Sequence, residues 1–267
     1  IHRRLVGSEM CIRASPSSDP VEIDASDPLR LHDVDHVRFY CGNAKQAAYF
    51  YAWNFGFQVE QYRDLTTGSR DTASYLLRQG NIRLILETGL TTEHEAAQEV
   101  ATYGDGVKDV SLTVNDAVAA YEQAIRNGAE SGYEPIEETD EHGTVVQAAI
   151  RSYGRVLHTF VSRKGDSGLN AVRAGGRFGP GWEKVDHFPL NEYNQQNPCG
   201  LEFVDHLVGN VELGKMNHWV EWYSEVLGFK LFKHVDDADI STEYTSLMSK
   251  VMAVSYTHLR AHETPMY

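Results

Sequence analysis

Val34-Asp35-His36-Val37 and Val204-Asp205-His206-Leu207 are two copies of one short motif, and the residues after each copy follow the same plan. The first copy leads through an alanine-rich segment to Phe55-Gly56-Phe57, and the second leads through an aromatic segment to Leu227-Gly228-Phe229. Each copy predicts a short apolar strand, an amphipathic helix and a glycine at the helix C-cap. Because an internal repeat decides the fold class, these two units are the starting point for the whole chain.

Strand-like sequence follows the glycine of the first unit. Residues 72–77 and 82–86 are mostly apolar, and the second segment alternates in a way that buries one face. Gln79-Gly80-Asn81 lies between them and predicts the turn of a hairpin. The first unit is therefore predicted to continue as β-strands after its helix.

A related unit begins at residues 107–114, which predict another strand. We expect the next helix at residues 116–127, with Asn115 as its N-cap and Gly128 ending it. Two further strands are predicted at residues 144–150 and 156–161.

The order of elements is thus βαβββ, βαβββ and then a third unit that begins at Val204. We predict an α+β fold of paired βαβββ modules, in which the third module is incomplete and a fourth is missing. Residues 31–163 are predicted to form an N-terminal domain, residues 164–203 a linker rich in Gly, Asn and Pro, and residues 204–253 the start of a second domain. On the third unit's helix, a buried stripe is predicted from Met216, Trp219, Val220, Tyr223 and Val226.

Composition and charge exclude several classes of protein. The chain has 267 residues, 42% of them hydrophobic, with no apolar run long enough for a membrane helix, and we do not interpret its first residues as a secretory signal. Its formal net charge of -14 disfavours a nucleic-acid partner, which would require clustered Lys and Arg. Its three cysteines are too scattered for a zinc site or a disulfide framework. These features together predict a cytoplasmic protein.

Both ends of the sequence differ from its middle. Residues 1–13 match no predicted element, and residues 254–267 interrupt the strand pattern at Val251-Met252-Ala253. Both segments resemble translated sequencing-adapter read-through, so we leave them out of the fold prediction. His258 and His262 have a spacing that would place both on one helix face, but it is common by chance and we assign them no metal role.

Several blocks of sequence follow one another between about residue 31 and residue 253. They are Gly42-Asn43-Ala44-Lys45-Gln46-Ala47-Ala48, Gly68-Ser69-Arg70, His94, Gly104-Asp105-Gly106-Val107-Lys108-Asp109, Asp140-Glu141-His142-Gly143, Tyr153-Gly154, His158-Thr159, Val204-Asp205-His206-Leu207-Val208-Gly209-Asn210-Val211 and Thr242-Glu243-Tyr244-Thr245-Ser246-Leu247-Met248-Ser249. In this order the blocks resemble 4-hydroxyphenylpyruvate dioxygenases, a family of the vicinal oxygen chelate superfamily, which is built from paired βαβββ units.

The resemblance implies an Fe(II)-dependent conversion of 4-hydroxyphenylpyruvate and O2 into homogentisate and CO2, in tyrosine and phenylalanine catabolism. Family members hold iron with two histidines and one glutamate, which leaves positions open for the 2-oxo acid and O2. Of these ligands only His206 matches a position in this sequence; the other two belong to the fourth unit. Ser249 and Val208 match positions near the substrate. The resemblance further implies a homo-oligomer in the complete protein.

One ligand does not make an iron site, because useful affinity needs several ligands with oriented neighbours. We therefore expect the 267-residue chain to bind no stoichiometric iron and to be inactive. Catalytic residues are assigned to none of its positions.

Two other functions stay open from the sequence. A 4-hydroxymandelate synthase would share the fold, iron and substrate but hydroxylate the benzylic carbon, and the residues that decide this lie in the fourth unit. The other alternative, a metal-free binding module, would use the N-terminal units alone and requires that the stop after residue 253 is biological.

Three further histidine sites are interpreted as structural. His36 is predicted to pack against the sheet, because the N-terminal domain of the family carries no metal. Asp186-His187 is interpreted as a solvated loop, and Asp140-Glu141-His142 as a polar turn, because adjacent side chains on a strand or turn point in different directions.

Overall fold

The computed structural model describes residues 5–13, 29–235 and 245–253. These residues fold as two units, the larger containing residues 29–203 and the smaller containing residues 5–13 and the described part of 204–253. The strands in the described residues are β1 Leu5–Arg13, β2 Asp33–Tyr40, β3 Gln58–Arg63, β4 Thr72–Gln79, β5 Ile82–Gly89, β6 Gly106–Thr113, β7 Ser131–Asp140, β8 Gly143–Arg151, β9 Leu157–Gly165, β10 Glu183–Lys184, β11 His206–Asn210, β12 Lys230–Val235 and β13 Thr245–Ala253. The helices there are α1 Ala44–Phe55, α2 Glu95–Tyr103, α3 Ala117–Arg126, α4 Leu169–Arg173, α5 Asn191–Gln196 and α6 Met216–Leu227.

The larger unit is built on one sheet with the strand order β10-β3-β4-β5-β2-β6-β9-β8-β7. Strands β2 to β5 with α1 form one βαβββ module, and strands β6 to β9 with α3 form a second. In each module the first and last strands pair in parallel, and the two modules join where β2 pairs antiparallel with β6. This arrangement confirms the predicted fold of paired βαβββ modules.

Helix α1 packs closely on its sheet because its inward face consists of small residues. Ala44, Ala48 and Ala52 are buried, and the side chain of Asn43 caps the helix by accepting a hydrogen bond from the Gln46 amide. Gly56 ends the helix in the left-handed conformation with φ 72°, as predicted for a C-cap glycine.

Helix α3 begins one residue later than the sequence suggested. Its N-cap is Asp116, whose carboxylate accepts hydrogen bonds from the amides of Val118 and Ala119, so the prediction of Asn115 was wrong. Asn115 instead makes a contact across the domain, with its Oδ1 2.8 Å from Nε2 of His32. Asn and Asp are both favourable N-cap residues, but the side chain of Asn115 is engaged by this contact with His32.

The segment 164–203, which we interpreted as a linker, packs against the first module. Val172, Phe178 and Trp182 form a buried cluster with Leu76 and Ile85. Strand β10 extends the sheet by pairing with β3, so this segment covers the sheet's edge. Its apolar residues lack a regular period, which is why the sequence pattern did not predict this packing.

Two asparagines of α5 connect the same segment to the first module by hydrogen bonds to the module's backbone. Asn191 both accepts from the Val59 amide and donates to the Val59 carbonyl, at 2.9 Å and 2.8 Å. Buried Asn194 donates to the carbonyls of Ala52 and Phe57. These bonds pair backbone groups at the end of α1 and in β3, and the Ala52 carbonyl also accepts from the Gly56 amide.

The smaller unit has a four-stranded sheet in the order β11-β1-β13-β12. We predicted no element at residues 1–13, whereas the structure has strand β1 there, parallel to β13 and antiparallel to β11. The adapter origin of this segment stays a prediction. Helix α6 contributes buried Met216, Tyr223 and Val226 of the predicted stripe, while Trp219 and Val220 are half-buried.

Among the described residues, no helix is both long and apolar enough to cross a membrane.

Candidate metal-ligand strand and its buried counterpart

His206 opens strand β11 and carries a half-exposed imidazole. Its Nδ1 lies 2.7 Å from Oδ2 of Asp205, and the two side chains are 52% and 56% exposed. A carboxylate that accepts the Nδ1 proton fixes the tautomer and leaves the Nε2 lone pair as the metal-binding atom. This is the arrangement that oriented histidine ligands use in metal sites.

The strand register relates the three predicted site residues to one another. Val208 follows His206 by two positions on β11, so both lie on one face of the sheet, and Val208 is 45% exposed. On β13 the backbone position of Ser249 is opposite Glu9 of β1, and Glu9 is opposite Asn210 of β11. The register therefore places His206, Val208 and the Ser249 position on the same face, while the Ser249 side chain lies outside the described part.

His36, the counterpart of His206 in the first copy of the motif, is buried in strand β2 with 1% exposure. Its Nδ1 lies 2.8 Å from Asp35, the same pairing as in the second copy, and its Nε2 lies 3.0 Å from the hydroxyl of Ser111. The ring also meets Phe178 edge-on at a centroid distance of 5.3 Å. These contacts support the structural role predicted for this histidine.

Arg163 is the residue that the sequence analysis missed in this buried group. Its guanidinium makes two hydrogen bonds to the Asp35 carboxylate, at 3.0 Å and 2.8 Å, and donates to the Phe178 carbonyl. It lies 128 residues from Asp35, and both side chains are almost fully buried. The sequence around either residue gives no indication of a contact between positions so far apart.

Burial and pairing set the charges in this group. Desolvation alone would raise the pKa of Asp35, but the Arg163 guanidinium and the hydrogen bond from His36 hold that pKa well below its usual range. Desolvation lowers the pKa of His36 despite the neighbouring Asp35, and it likewise lowers the pKa of buried His158. Near neutral pH Asp35 and Arg163 therefore form an ion pair beside a neutral His36, and buried His158 is neutral as well.

Acidification is expected to destabilise the larger unit through its buried histidines His36 and His158. In the folded chain His36 and His158 bind protons less readily than in the unfolded chain, so the free energy of unfolding falls as the pH drops below about 6.5. Each unit by which a pKa is lowered contributes about 1.4 kcal/mol over the full titration. Urea unfolding measured at a series of pH values between about 8 and 5 would test this.

The His158→Gln variant is the comparison for this pH dependence. Its unfolding free energy is expected to vary less with pH than that of the parent chain, because one of the two titrating groups is gone. Among the charged groups facing His36, Asp35 and Asp109 oppose the lowering of its pKa, whereas Arg38 adds to it. A parent chain whose stability is constant or rises on acidification over this range would contradict the prediction.

The other two sites interpreted as structural are a turn and a loop. Asp140 accepts hydrogen bonds from the amides of His142 and Gly143 in the turn between β7 and β8. Asp186 and His187 are exposed in a loop after β10. Among the side chains that the structure describes, no group of three or more His, Cys, Asp or Glu residues is arranged to hold a metal ion.

Comparison with known proteins agrees with this architecture. Residues 33–159 match the model of the Glyoxalase/Bleomycin resistance protein/Dioxygenase superfamily. Proteins named 4-hydroxyphenylpyruvate dioxygenase are similar in sequence: the one from Dictyostelium discoideum is 42% identical over 84% of this chain, and the one from Caenorhabditis elegans 41% over 82%. The chain spans 59% and 53% of the length of these two relatives.

A solved structure gives independent support for the fold. It is a mutant of 4-hydroxymandelate synthase from Streptomyces coelicolor, with a TM-score of 0.60, 16% sequence identity and coverage of 84% of this chain and 63% of the other. At that identity the likeness concerns the fold alone. Residues 33–159 thus match the model of the glyoxalase, bleomycin resistance protein and dioxygenase superfamily, and over more than four fifths of its length this chain is similar in sequence to proteins named 4-hydroxyphenylpyruvate dioxygenase.

Proposed function

We propose that the protein carrying this sequence converts 4-hydroxyphenylpyruvate and O2 into homogentisate and CO2, with Fe(II) as its cofactor and as a homo-oligomer. The observation that carries the proposal is the 42% identity, over 226 residues, to a protein named 4-hydroxyphenylpyruvate dioxygenase. The paired βαβββ modules and the oriented His206 agree with it.

His206 fits one position of an iron site. Its Nδ1 is engaged by Asp205, its Nε2 is available and its side chain is half-exposed, which suits a ligand at the open end of a strand. The side chains that the structure describes do not complete a metal-binding group around it, so His206 is the single ligand assigned within this sequence. When bound, Fe(II) supplies the redox chemistry that activates O2 against the chelated 2-oxo acid.

Val208 and Ser249 are proposed to lie beside the substrate. They match substrate-side positions of the family, and the strand register puts both on the face that carries His206. The exposed Val208 offers an apolar surface of the kind that excludes water around a bound substrate. Their role is thus orientation and shielding, with no proton transfer assigned to either.

The experiment begins with the gene. The genomic reading frame is sequenced through the codon for Ala253, and the whole frame is expressed, loaded with Fe(II) and supplied with 4-hydroxyphenylpyruvate and O2. We expect the frame to continue with a strand histidine and a later glutamate, and homogentisate to be the product. A product of 4-hydroxymandelate would favour the synthase alternative. A frame that ends at this point, with no turnover, would contradict both and leave a metal-free module.

A further inference from the structure

A polar cavity of about 740 Å³ lies in the larger unit, between its two modules. Its walls include Arg38 and Tyr40 from β2, Glu87 from β5, Tyr133 from β7 and Gln147 from β8. The volume is within the range of small-molecule sites, and polar groups from both modules converge on it. It is separate from the β11 strand that carries His206, which belongs to the other unit.

The floor of this cavity holds a partly satisfied ion pair. Arg38 donates to Glu87 Oε2 at 3.1 Å, and the buried hydroxyl of Ser74 donates to the same oxygen at 3.0 Å. The Arg38 Nε is buried and has no hydrogen-bond partner among the described residues. The Arg38 side chain as a whole is 26% exposed and lines the cavity, so its guanidinium can also donate to a ligand acceptor there.

Charge around the cavity is close to balanced. The ionised side chains on its wall are three arginines and four carboxylates, namely Arg38, Arg63, Arg70, Asp71, Glu87, Glu95 and Glu138. At the rim Arg63 is already paired with Glu138, at 2.9 Å. A polyanion such as a nucleotide would meet more repulsive than attractive groups here, whereas a zwitterion would find a partner for each charge.

One wall of the cavity is aromatic. Phe178 and Trp182 meet edge to face at a centroid distance of 5.2 Å, and both line the cavity. Tyr40 and Tyr133 lie on the wall as well. Aromatic side chains favour a flat apolar group, which gains both burial and ring contacts.

From these features we propose that the cavity binds a free α-amino acid with an aromatic side chain. The ligand carboxylate accepts from Arg38, its ammonium group pairs with Glu87, and its ring lies against the aromatic wall formed by Phe178 and Trp182. The amide of Gln147 and the hydroxyl of Tyr133 add neutral hydrogen-bonding groups. This site is independent of the iron-dependent activity proposed above.

Three small molecules test the separate contributions of the ligand's ammonium group and carboxylate to binding by the unmodified 267-residue chain. L-phenylalanine carries both charges, 3-phenylpropionate lacks the ammonium group, and phenethylamine lacks the carboxylate. Binding is followed by saturation-transfer NMR and by the shift of the thermal unfolding midpoint. We expect saturable binding of L-phenylalanine, and binding of each truncated probe weaker by about tenfold or more, because each loses one charge-assisted hydrogen bond.

The Glu87→Gln variant keeps the shape of the floor and an acceptor for Arg38 and Ser74, but removes the negative charge. The variant is expected to bind L-phenylalanine about tenfold or more weakly than the parent chain, and to bind 3-phenylpropionate equally well or more tightly. The matched control is Glu130→Gln, which removes a carboxylate that is paired with Arg151 away from the cavity. It should leave the binding of both L-phenylalanine and 3-phenylpropionate unchanged. Absence of saturable L-phenylalanine binding, or equal binding of 3-phenylpropionate and L-phenylalanine, would overturn the proposal, and this holds even if Glu87→Gln does not fold.

Discussion

Replacing His206 with alanine in the protein expressed from the whole reading frame is expected to lower its Fe(II) affinity and its turnover at least about 100-fold. Loss of a neighbour that merely orients a ligand costs about 10 to 100-fold, and loss of the ligand itself removes a metal bond as well. Iron content after gel filtration, together with the rate of O2 consumption, measures the two effects separately. His206 is half-exposed, so the variant should still fold.

Two further variants make this result specific. Asp205→Asn removes the carboxylate that lies 2.7 Å from His206 Nδ1, and it is expected to cost about 10 to 100-fold in iron affinity. His187→Ala removes an exposed histidine that also follows an aspartate, and it should change neither iron content nor turnover. A His206→Ala protein that keeps one iron per chain would remove this residue from the ligand set.

Replacing Arg163 with methionine is expected to lower the free energy of unfolding by about 3 to 5 kcal/mol. The Asp35 and Arg163 side chains are 1% and 2% exposed, so the variant leaves a carboxylate buried without its main counter-charge. Urea unfolding at neutral pH would measure the loss. The deficit should shrink at low pH, because the parent loses the stability contributed by Asp35 as its carboxylate is protonated.

Arg126→Met is the surface control for that measurement. Arg126 pairs with Glu122 at 3.6 Å, with both side chains more than half exposed, and its loss should cost less than about 1 kcal/mol. The double replacement of Asp35 by Asn and Arg163 by Met should be less destabilised than Arg163→Met, because it leaves no buried charge unpaired. Equal stability of the Arg163→Met protein and the parent would show that this ion pair does not stabilise the fold.

Local elements were well predicted because their signals lie within a few residues. Gly56 and Gly228 end α1 and α6 in the left-handed conformation, as the Gly-Phe pairs indicated. The hairpin of β4 and β5 turns at Gly80-Asn81, as expected. The α3 cap was wrong by one residue because Asn115 and Asp116 are both good capping residues, and a contact with His32 from a distant segment distinguishes them.

The hydrophobic periodicity of the sequence did not predict packing between residues that lie far apart in the chain. The segment 164–203 has the composition of a linker, yet Phe178 and Trp182 complete the core beneath the first module. The cavity between the modules is likewise formed by residues from strands that lie up to 109 positions apart, from Arg38 to Gln147. Neither arrangement follows from periodicity, which reports only which face of one element is apolar.

The two Asp-His copies show which features follow from the sequence and which depend on the tertiary structure. The sequence by itself determined the repeated module and the Asp-His order in both copies, whereas the contact between the two side chains, at 2.8 Å and 2.7 Å, was seen only in the structure. Only the tertiary structure decided their different environments: Asp35 and His36 are buried against Arg163, Ser111 and Phe178, while Asp205 and His206 are half-exposed. The reason is that an imidazole's availability to a metal depends on what packs over it, and those atoms come from segments distant in the chain.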